Sequence, residues 1–98
     1  MTIEMKKEGS ALTISLEGRL DTVTSPELEK TLAEALGGVK ELTFDLGNLE
    51  YVSSAGLRVL LSAQKTMNAQ GKMVVKNVGE TVGEIFEVTG FSDILTIE

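Results

Sequence analysis

The sequence predicts one α/β domain in which a mixed central sheet of about four to five strands, opening with an antiparallel hairpin, packs against about three helices. Three observations predict this class. The chain has 98 residues, a length typical of one domain. Two runs of alternating polar and apolar residues come first, separated by a turn that contains glycine. Strand-like and helix-like segments then alternate in the order β-β-α-β-α-β-α-β, which favours parallel pairing with right-handed crossovers.

The N-terminal hairpin is predicted from two alternating runs, Thr2–Lys7 and Ala11–Glu17, on either side of the turn Glu8-Gly9-Ser10. Alternation with a period of two is typical of a strand with one buried face, and a short turn with glycine is typical of a hairpin. We expect a loop over Gly18–Thr24 to follow.

The first helix is predicted to begin after this loop. Ser25 fits its N-cap and Pro26 its first turn, while Thr24 and Glu27 form a competing capping box. Apolar residues follow at helical spacing, and a glycine pair ends the helix. The stripe and the terminating pair are Leu28, Leu32, Ala35, Leu36, Gly37 and Gly38.

Two further helices are predicted from the same spacing, one from about Ser54 to Gln70 and one over Glu80–Thr89. Each is followed by a glycine, Gly71 and Gly90, which is typical of a helix end. The side chains expected to face the core are Leu57, Leu60, Leu61, Gln64 and Met67 in the second helix and Val82, Ile85 and Phe86 in the third.

The remaining strands are predicted over Glu41–Leu46, Lys72–Asn77 and Ile94–Ile97, with Gly47–Ser53 as a connection. The first of these alternates in the manner of a half-buried strand. The second is almost continuously apolar, which indicates a strand at the centre of the sheet or covered on both faces.

The composition excludes several classes of function. The chain has no cysteine and no histidine, so disulfides, thiolate nucleophiles, histidine acid–base chemistry and most zinc sites are excluded. Its net charge of −6 repels phosphate backbones and anionic lipid, so we expect neither a nucleic-acid nor a membrane partner. With no signal-peptide pattern and no apolar run near the ~20 residues of a membrane helix, we expect a cytoplasmic protein.

The turn Ser53-Ser54-Ala55-Gly56, which precedes the second helix, is the main candidate site. One interpretation is structural, with Ser54 or Ser53 as the N-cap. The other is a regulated hydroxyl, because a phosphate at a helix start meets free N–H groups and a favourable dipole worth roughly 0.3–1 kcal/mol. Ala55 and Gly56 would leave room for another protein to approach. The residues alone leave both interpretations open.

Two carboxylates are candidate neighbours of this turn. Asp21 is either a turn-forming residue or an acidic neighbour of the serines, since loops at the same end of a parallel segment converge. A phosphoserine beside it would meet like-charge repulsion. Asp45 could act similarly, but its alternation with Phe44 and Leu46 predicts a solvent-facing strand residue. No group of residues supplies a nucleophile, a base and an orienting group together, so we expect no enzyme.

Three stretches resemble the STAS domain family, specifically bacterial anti-sigma factor antagonists. They are Leu42–Leu60, which contains the serine turn, Gly18-Arg19-Leu20-Asp21, similar to the family's G-x-L-D element, and the closing run Gly90–Leu95. They lie in the family's order and spacing along essentially the whole chain. The resemblance implies a single STAS domain over residues 1–98.

The resemblance also implies a binding switch. Unphosphorylated antagonists bind an anti-sigma factor that is also a serine kinase, which frees a sigma factor. That kinase binds ATP–Mg and phosphorylates one serine of the antagonist. The antagonist itself needs no cofactor. A PP2C-type phosphatase then removes the phosphate and resets the switch. The phosphorylated serine falls on Ser54, with Ser53, where many members have aspartate, as second choice. The implied partner-binding residues are Asp21, Ser53, Ser54, Ala55, Gly56, Leu57 and Arg58.

Two alternatives remain on the sequence. One is a STAS-like scaffold or transporter-associated subunit that binds its partner without phosphorylation. The other is an enzyme or nucleotide-binding protein, which the lack of a phosphate-cradling loop disfavours. The oligomeric state is expected to be a monomer or a weak dimer.

Overall fold

The computed structural model describes all 98 residues and confirms the predicted α/β class. Four strands pair in the order β1-β2-β3-β4, with β1 antiparallel to β2 and the other neighbours parallel. The elements are β1 Thr2–Glu8, β2 Ala11–Leu20, α1 Ser25–Ala35, β3 Glu41–Val52, α2 Ser54–Gln70, β4 Lys72–Lys76, α3 Glu80–Thr89 and a 3-10 turn at Phe91–Asp93.

One face of the sheet carries the hydrophobic core. Ile14, Phe44 and Val75 lie side by side on β2, β3 and β4 and are fully buried. They belong to a single apolar cluster that also contains Leu28 of α1, Leu60 of α2 and Phe86 of α3. The alternate residues of the strands, such as Thr13 and Thr43, are half-buried on the opposite, polar face. The period-two patterns therefore identified the buried face correctly.

Strands β2 and β3 are longer than predicted, because bulges interrupt their alternation. Between the Ser15–Asp45 pair and the Leu20–Val52 pair, β3 carries two more residues than β2. Each extra residue shifts the face to which later side chains point, so the period of two is lost locally. The predictions of a loop from Gly18 and of a connection over Gly47–Ser53 were therefore wrong, since Gly18–Leu20 and Gly47–Val52 are strand.

Strand β4 lies at the edge of the four-stranded sheet, so the predicted alternative of a central strand was wrong, and its Val74 is half-buried on the polar face. The C-terminal segment covers its outer side with a parallel bridge between Val75 and Ile97. The Val75 N–H donates to the Thr96 carbonyl at 2.8 Å, and the Glu98 N–H donates to the Val75 carbonyl at 2.9 Å. The predicted strand Ile94–Ile97 is thus reduced to one bridging residue.

Helices α2 and α3 have the predicted bounds, but the start of α1 differs. Its N-cap is Thr24, with no side-chain capping bond, and Ser25 is the first helical residue with a buried hydroxyl. Neither the Ser25 cap nor the Thr24–Glu27 capping box forms. Both candidates are residue types that cap helices, but the Thr24 hydroxyl bonds within the preceding loop, donating to the Arg19 carbonyl and accepting from the Asp21 N–H.

The buried stripe of α2 also differs from the prediction. Leu61 is half-buried, whereas Val59 and Ala63 are buried, because α2 packs against α1 as well as against the sheet. No helix of the structure combines the length and the apolar character needed to cross a membrane.

Candidate docking site at the start of α2

The two serines before α2 have different structural roles. Ser53 is the N-cap, with extended backbone (φ −88°, ψ 174°), and its Oγ accepts a hydrogen bond from the Gly56 N–H at 3.3 Å. Ser54 is the first helical residue, and it is exposed. The structural interpretation of the turn is therefore confirmed for Ser53, and the suggestion that Ser54 caps the helix was wrong. An N-cap lies just outside the helical backbone and accepts from a first-turn N–H, as extended Ser53 does from Gly56, whereas Ser54 is already helical.

Gly56 allows α2 to lie directly against the end of β2. A Cβ atom at this position would stand 2.7 Å from the Leu20 Cγ and 2.9 Å from the Leu20 carbonyl oxygen. The Ser53 N–H donates to the same carbonyl at 2.8 Å. Gly56 is buried, so the space left by its missing side chain is filled by Leu20 and not by a partner protein.

Of the seven residues implied as partner contacts, two are internal. Gly56 and Leu57 are buried, and Leu57 belongs to the core cluster. Ser54 and Arg58 are exposed one helical turn apart, while Ser53 and Ala55 are half-buried. The buried residues thus anchor the helix start, and the exposed ones form its accessible surface.

Asp21 holds together the loop that adjoins this surface. Its Oδ1 accepts hydrogen bonds from the N–H groups of Val23 at 3.0 Å and Thr24 at 3.1 Å. The Thr24 backbone amide, with help from the Val23 amide, the Thr24 hydroxyl and the Arg19 guanidinium, holds the pKa of the Asp21 carboxyl below its ordinary range. The turn-forming interpretation is therefore confirmed. Asp21 also follows Leu20, whose carbonyl accepts from the Ser53 N–H, so the loop that begins at Asp21 adjoins the serine turn.

Arg19 is a neighbour of the site that the sequence did not single out. Its guanidinium lies 4.4 Å from the centroid of the Tyr51 ring, its cross-strand partner on β3. Its Nε is 3.9 Å from the Asp21 Oδ2. The cation is thus held between an aromatic face and a carboxylate at the strand ends that lead into the loop and into α2.

A groove between the starts of α1 and α2, which Ala55 and Arg58 help to line, was not predicted. Its volume is about 320 Å³, and a second groove of about 390 Å³ farther along the two helices shares Glu29 and Val59 with it. Next to it, Val23 is 86% exposed, an unusual position for an apolar side chain. The first groove is lined by Thr22, Ser25, Pro26, Glu29, Ala55, Arg58 and Val59. No local pattern reveals this surface, because it is formed by two helices that are distant in sequence.

Asp45 lies outside the site. It is on the polar face as predicted, half-buried, and its Oδ1 accepts from the Gly47 N–H at 3.0 Å and from the Asn77 Nδ2 at 3.1 Å. The Asn77 side chain is the main cause that lowers the pKa of Asp45, followed by the Gly47 amide. At ~3.3 Å per strand residue, Asp45 is roughly 20 Å from the end of β3, too far to neighbour Ser54.

Comparison with known proteins gives one consistent family. The family model for the STAS domain matches residues 2–98. BtrV of Bordetella bronchiseptica, which carries the name of an anti-sigma factor antagonist, is 36% identical over 99 residues, covering 99% of this chain and 85% of BtrV. An anti-sigma-B factor antagonist of Staphylococcus aureus is 28% identical, covering 99% of this chain and 92% of that protein.

The fold is also found among solved structures. The Bacillus cell fate determinant SpoIIAA, in its phosphorylated form, matches with a TM-score of 0.77 at 18% sequence identity, over 99% of this chain and 91% of that one. At that identity the likeness concerns the fold alone. The family-model match and the 36% identical relative show that this chain belongs to the STAS domain family.

Proposed function

We propose that this chain is an anti-sigma factor antagonist that binds an anti-sigma factor through the start of α2 and is released by phosphorylation of Ser54. The observation that supports this most directly is the exposed Ser54 hydroxyl on a helix start whose next residues, Gly56 and Leu57, are anchored in the core. Such a hydroxyl is accessible to a kinase and held in a defined place. The names of the two relatives support the class of partner.

The different environments of the two serines support Ser54 over Ser53 as the modified residue. The Ser53 Oγ is half-buried and caps α2, so modifying it would disrupt the helix start, at a cost of about 1 kcal/mol. Ser54 carries no capping role and can be modified without disturbing the fold. That SpoIIAA exists in a phosphorylated form is consistent with modification of this fold.

The energetics favour a switch that acts on binding and leaves the fold intact. A phosphate on Ser54 would gain roughly 0.3–1 kcal/mol from the helix dipole. Arg58, four residues on, would add about 0.2–0.5 kcal/mol as an i,i+4 pair. In a desolvated interface, however, the added charge of about −1.5 to −2 would cost several kcal/mol if unpaired. A loss of about 2–3 kcal/mol weakens binding roughly 30- to 150-fold.

The local charge adds to this effect. Asp21 has a lowered pKa and is therefore ionised at neutral pH, on the loop next to Ser54. The whole chain carries a net charge of −6. A phosphoserine here would place a second anion beside the first, so a partner surface suited to the unmodified patch would meet concentrated negative charge.

The remaining components of the switch would be other proteins. The anti-sigma factor would be the serine kinase and would bind ATP–Mg, and a PP2C-type phosphatase would remove the phosphate. This chain would contribute the docking surface and the acceptor hydroxyl, and no catalytic group.

The test uses an anti-sigma factor kinase from the same organism that binds this chain, with ATP–Mg, and locates the phosphate by mass spectrometry. Ser54→Ala should abolish phosphorylation. Ser53→Ala is the matched control, because it removes a hydroxyl one residue away and should still be phosphorylated. Ser54→Asp should weaken kinase binding, measured by calorimetry, by at least tenfold.

Two outcomes would contradict the proposal. Phosphorylation of Ser54→Ala to the wild-type extent would overturn the site, and unchanged affinity of Ser54→Asp would overturn the charge argument. Tight partner binding without any phosphorylation would instead indicate a scaffold or transporter-associated subunit.

A further inference from the structure

Strand β1 is the open edge of the sheet. Its inner side pairs with β2 over seven residues, and its outer side pairs with nothing. The opposite edge, β4, is covered by Thr96–Glu98 through two backbone hydrogen bonds. An uncovered edge leaves a row of N–H and C=O groups free to pair with another strand. The structure therefore has one edge available for strand addition.

The sequence of β1 is complementary to itself when two copies run antiparallel. With Met5 opposite Met5 of a second copy, Glu4 lies opposite Lys6, and the two-fold symmetry repeats this pair. Directly opposite side chains of unlike charge stabilise a sheet, whereas like charges destabilise it. In this register both charged pairs are attractive.

The neighbouring registers are repulsive. Strand side chains alternate between the two faces of the sheet, so a shift by one residue would move the apolar side chains of one copy to the polar face. The alternative registers are therefore those shifted by two residues in either direction. A shift in one direction places Glu4 opposite Glu4, and a shift in the other places Lys6 opposite Lys6. The charges of β1 thus select the register centred on Met5.

The apolar side chains of β1 fit the same register. Met5 is 53% exposed on the face that carries the core, and Ile3 is half-buried on that face. Pairing would bring the two Met5 side chains together and place the aliphatic stem of Lys7 over Ile3 of the second copy. The contact of Lys6 with Glu8 at 3.6 Å within one copy is highly exposed, so it offers little competition.

We propose that a second copy of this chain pairs with β1 in this antiparallel register, joining two four-stranded sheets into one continuous sheet. The interface uses the edge of one strand, so the dimer is weak and exchanges with the monomer. None of the residues at the start of α2 lies on β1, so self-association is a separate property from anti-sigma factor binding.

The test is sedimentation equilibrium of the full chain across a dilution series, with three variants. Lys6→Glu makes both central pairs repulsive and should raise the dimer dissociation constant by roughly tenfold or more. Combining Lys6→Glu with Glu4→Lys restores two attractive pairs and should restore dimerisation. Lys7→Glu is the matched control, because it changes the net charge equally but faces Ile3, and it should have a clearly smaller effect.

A second readout locates the contact. Concentration-dependent amide chemical shifts in NMR spectra should be confined to β1 and its neighbour β2, and should vanish in Lys6→Glu. A wild-type chain that stays monomeric at every concentration would overturn the proposal. So would equal effects of Lys6→Glu and Lys7→Glu, a charge swap that fails to restore pairing, or shifts elsewhere on the surface.

Discussion

Replacing Gly56 with alanine tests whether the close contact between α2 and β2 positions the candidate site. The added Cβ would stand 2.7 Å from the Leu20 Cγ and 2.9 Å from its carbonyl oxygen. Leu20 is fully buried, and its carbonyl already accepts from the Ser53 N–H at 2.8 Å. Neither atom can move away without disturbing the core or this hydrogen bond.

The expected magnitude follows from opposing terms. Alanine is favoured over glycine in a helix by up to about 1 kcal/mol. Overpacking a well-filled site costs about 1–3 kcal/mol. Weakening the Ser53–Leu20 hydrogen bond costs about 0.5–1.5 kcal/mol more. We therefore expect Gly56→Ala to lower the free energy of unfolding by about 0.5–3.5 kcal/mol, which corresponds to a Tm decrease of about 4–8 °C per kcal/mol at this size.

The assay is urea unfolding followed by circular dichroism, with Gly83→Ala as the matched control. Gly83 lies within α3, where a Cβ would stand 3.4 Å from the Val78 Cγ1, an ordinary contact. The same substitution should therefore stabilise the protein there by about 0.5–1 kcal/mol. If both variants are stabilised alike, the contact with Leu20 does not constrain the start of α2 and the reasoning is refuted.

Two further predictions concern side chains outside the site. Gln70→Ala should lower the free energy of unfolding by about 1–2 kcal/mol in the same assay, because the Gln70 Nε2 donates to the Leu36 and Val39 carbonyls at 2.7 Å each. An unchanged urea midpoint would argue against this role of Gln70. Asp45 has a folded-state pKa below its ordinary value of 3.8, so its ionised form contributes stability above that pH, and this contribution is lost as the pH falls through the folded-state pKa. The amide oxygen of Asp45→Asn can still accept both hydrogen bonds, so this variant should lose less stability than wild type as the pH falls below 3.8. If the free energies of unfolding of the two proteins fall in parallel with pH, the lowered pKa of Asp45 does not contribute to stability.

Much of the candidate site could be predicted from the sequence. The start of α2 at Ser54 followed from helical spacing after a pair of cap-forming residues, and the loop position of Asp21 followed from its place after a strand. The choice between the two serines could not be made in this way. Both can cap a helix, and only the backbone geometry shows that the Ser53 Oγ, and not that of Ser54, accepts from Gly56.

The sequence by itself determined the class of the fold, the buried face of each regular strand and the bounds of α2 and α3, because these depend on local periodicity and on helix-end residues. Only the tertiary structure decided the rest. The two bulges of β3 arise from its pairing with β2, and β4 became an edge because the C-terminal segment bridges it without forming a strand. Gly56 is buried because Leu20, 36 positions earlier in the chain, occupies the space beside it. Such contacts join residues far apart in sequence, so no local pattern records them, and they separate the anchoring residues of the site from the exposed ones.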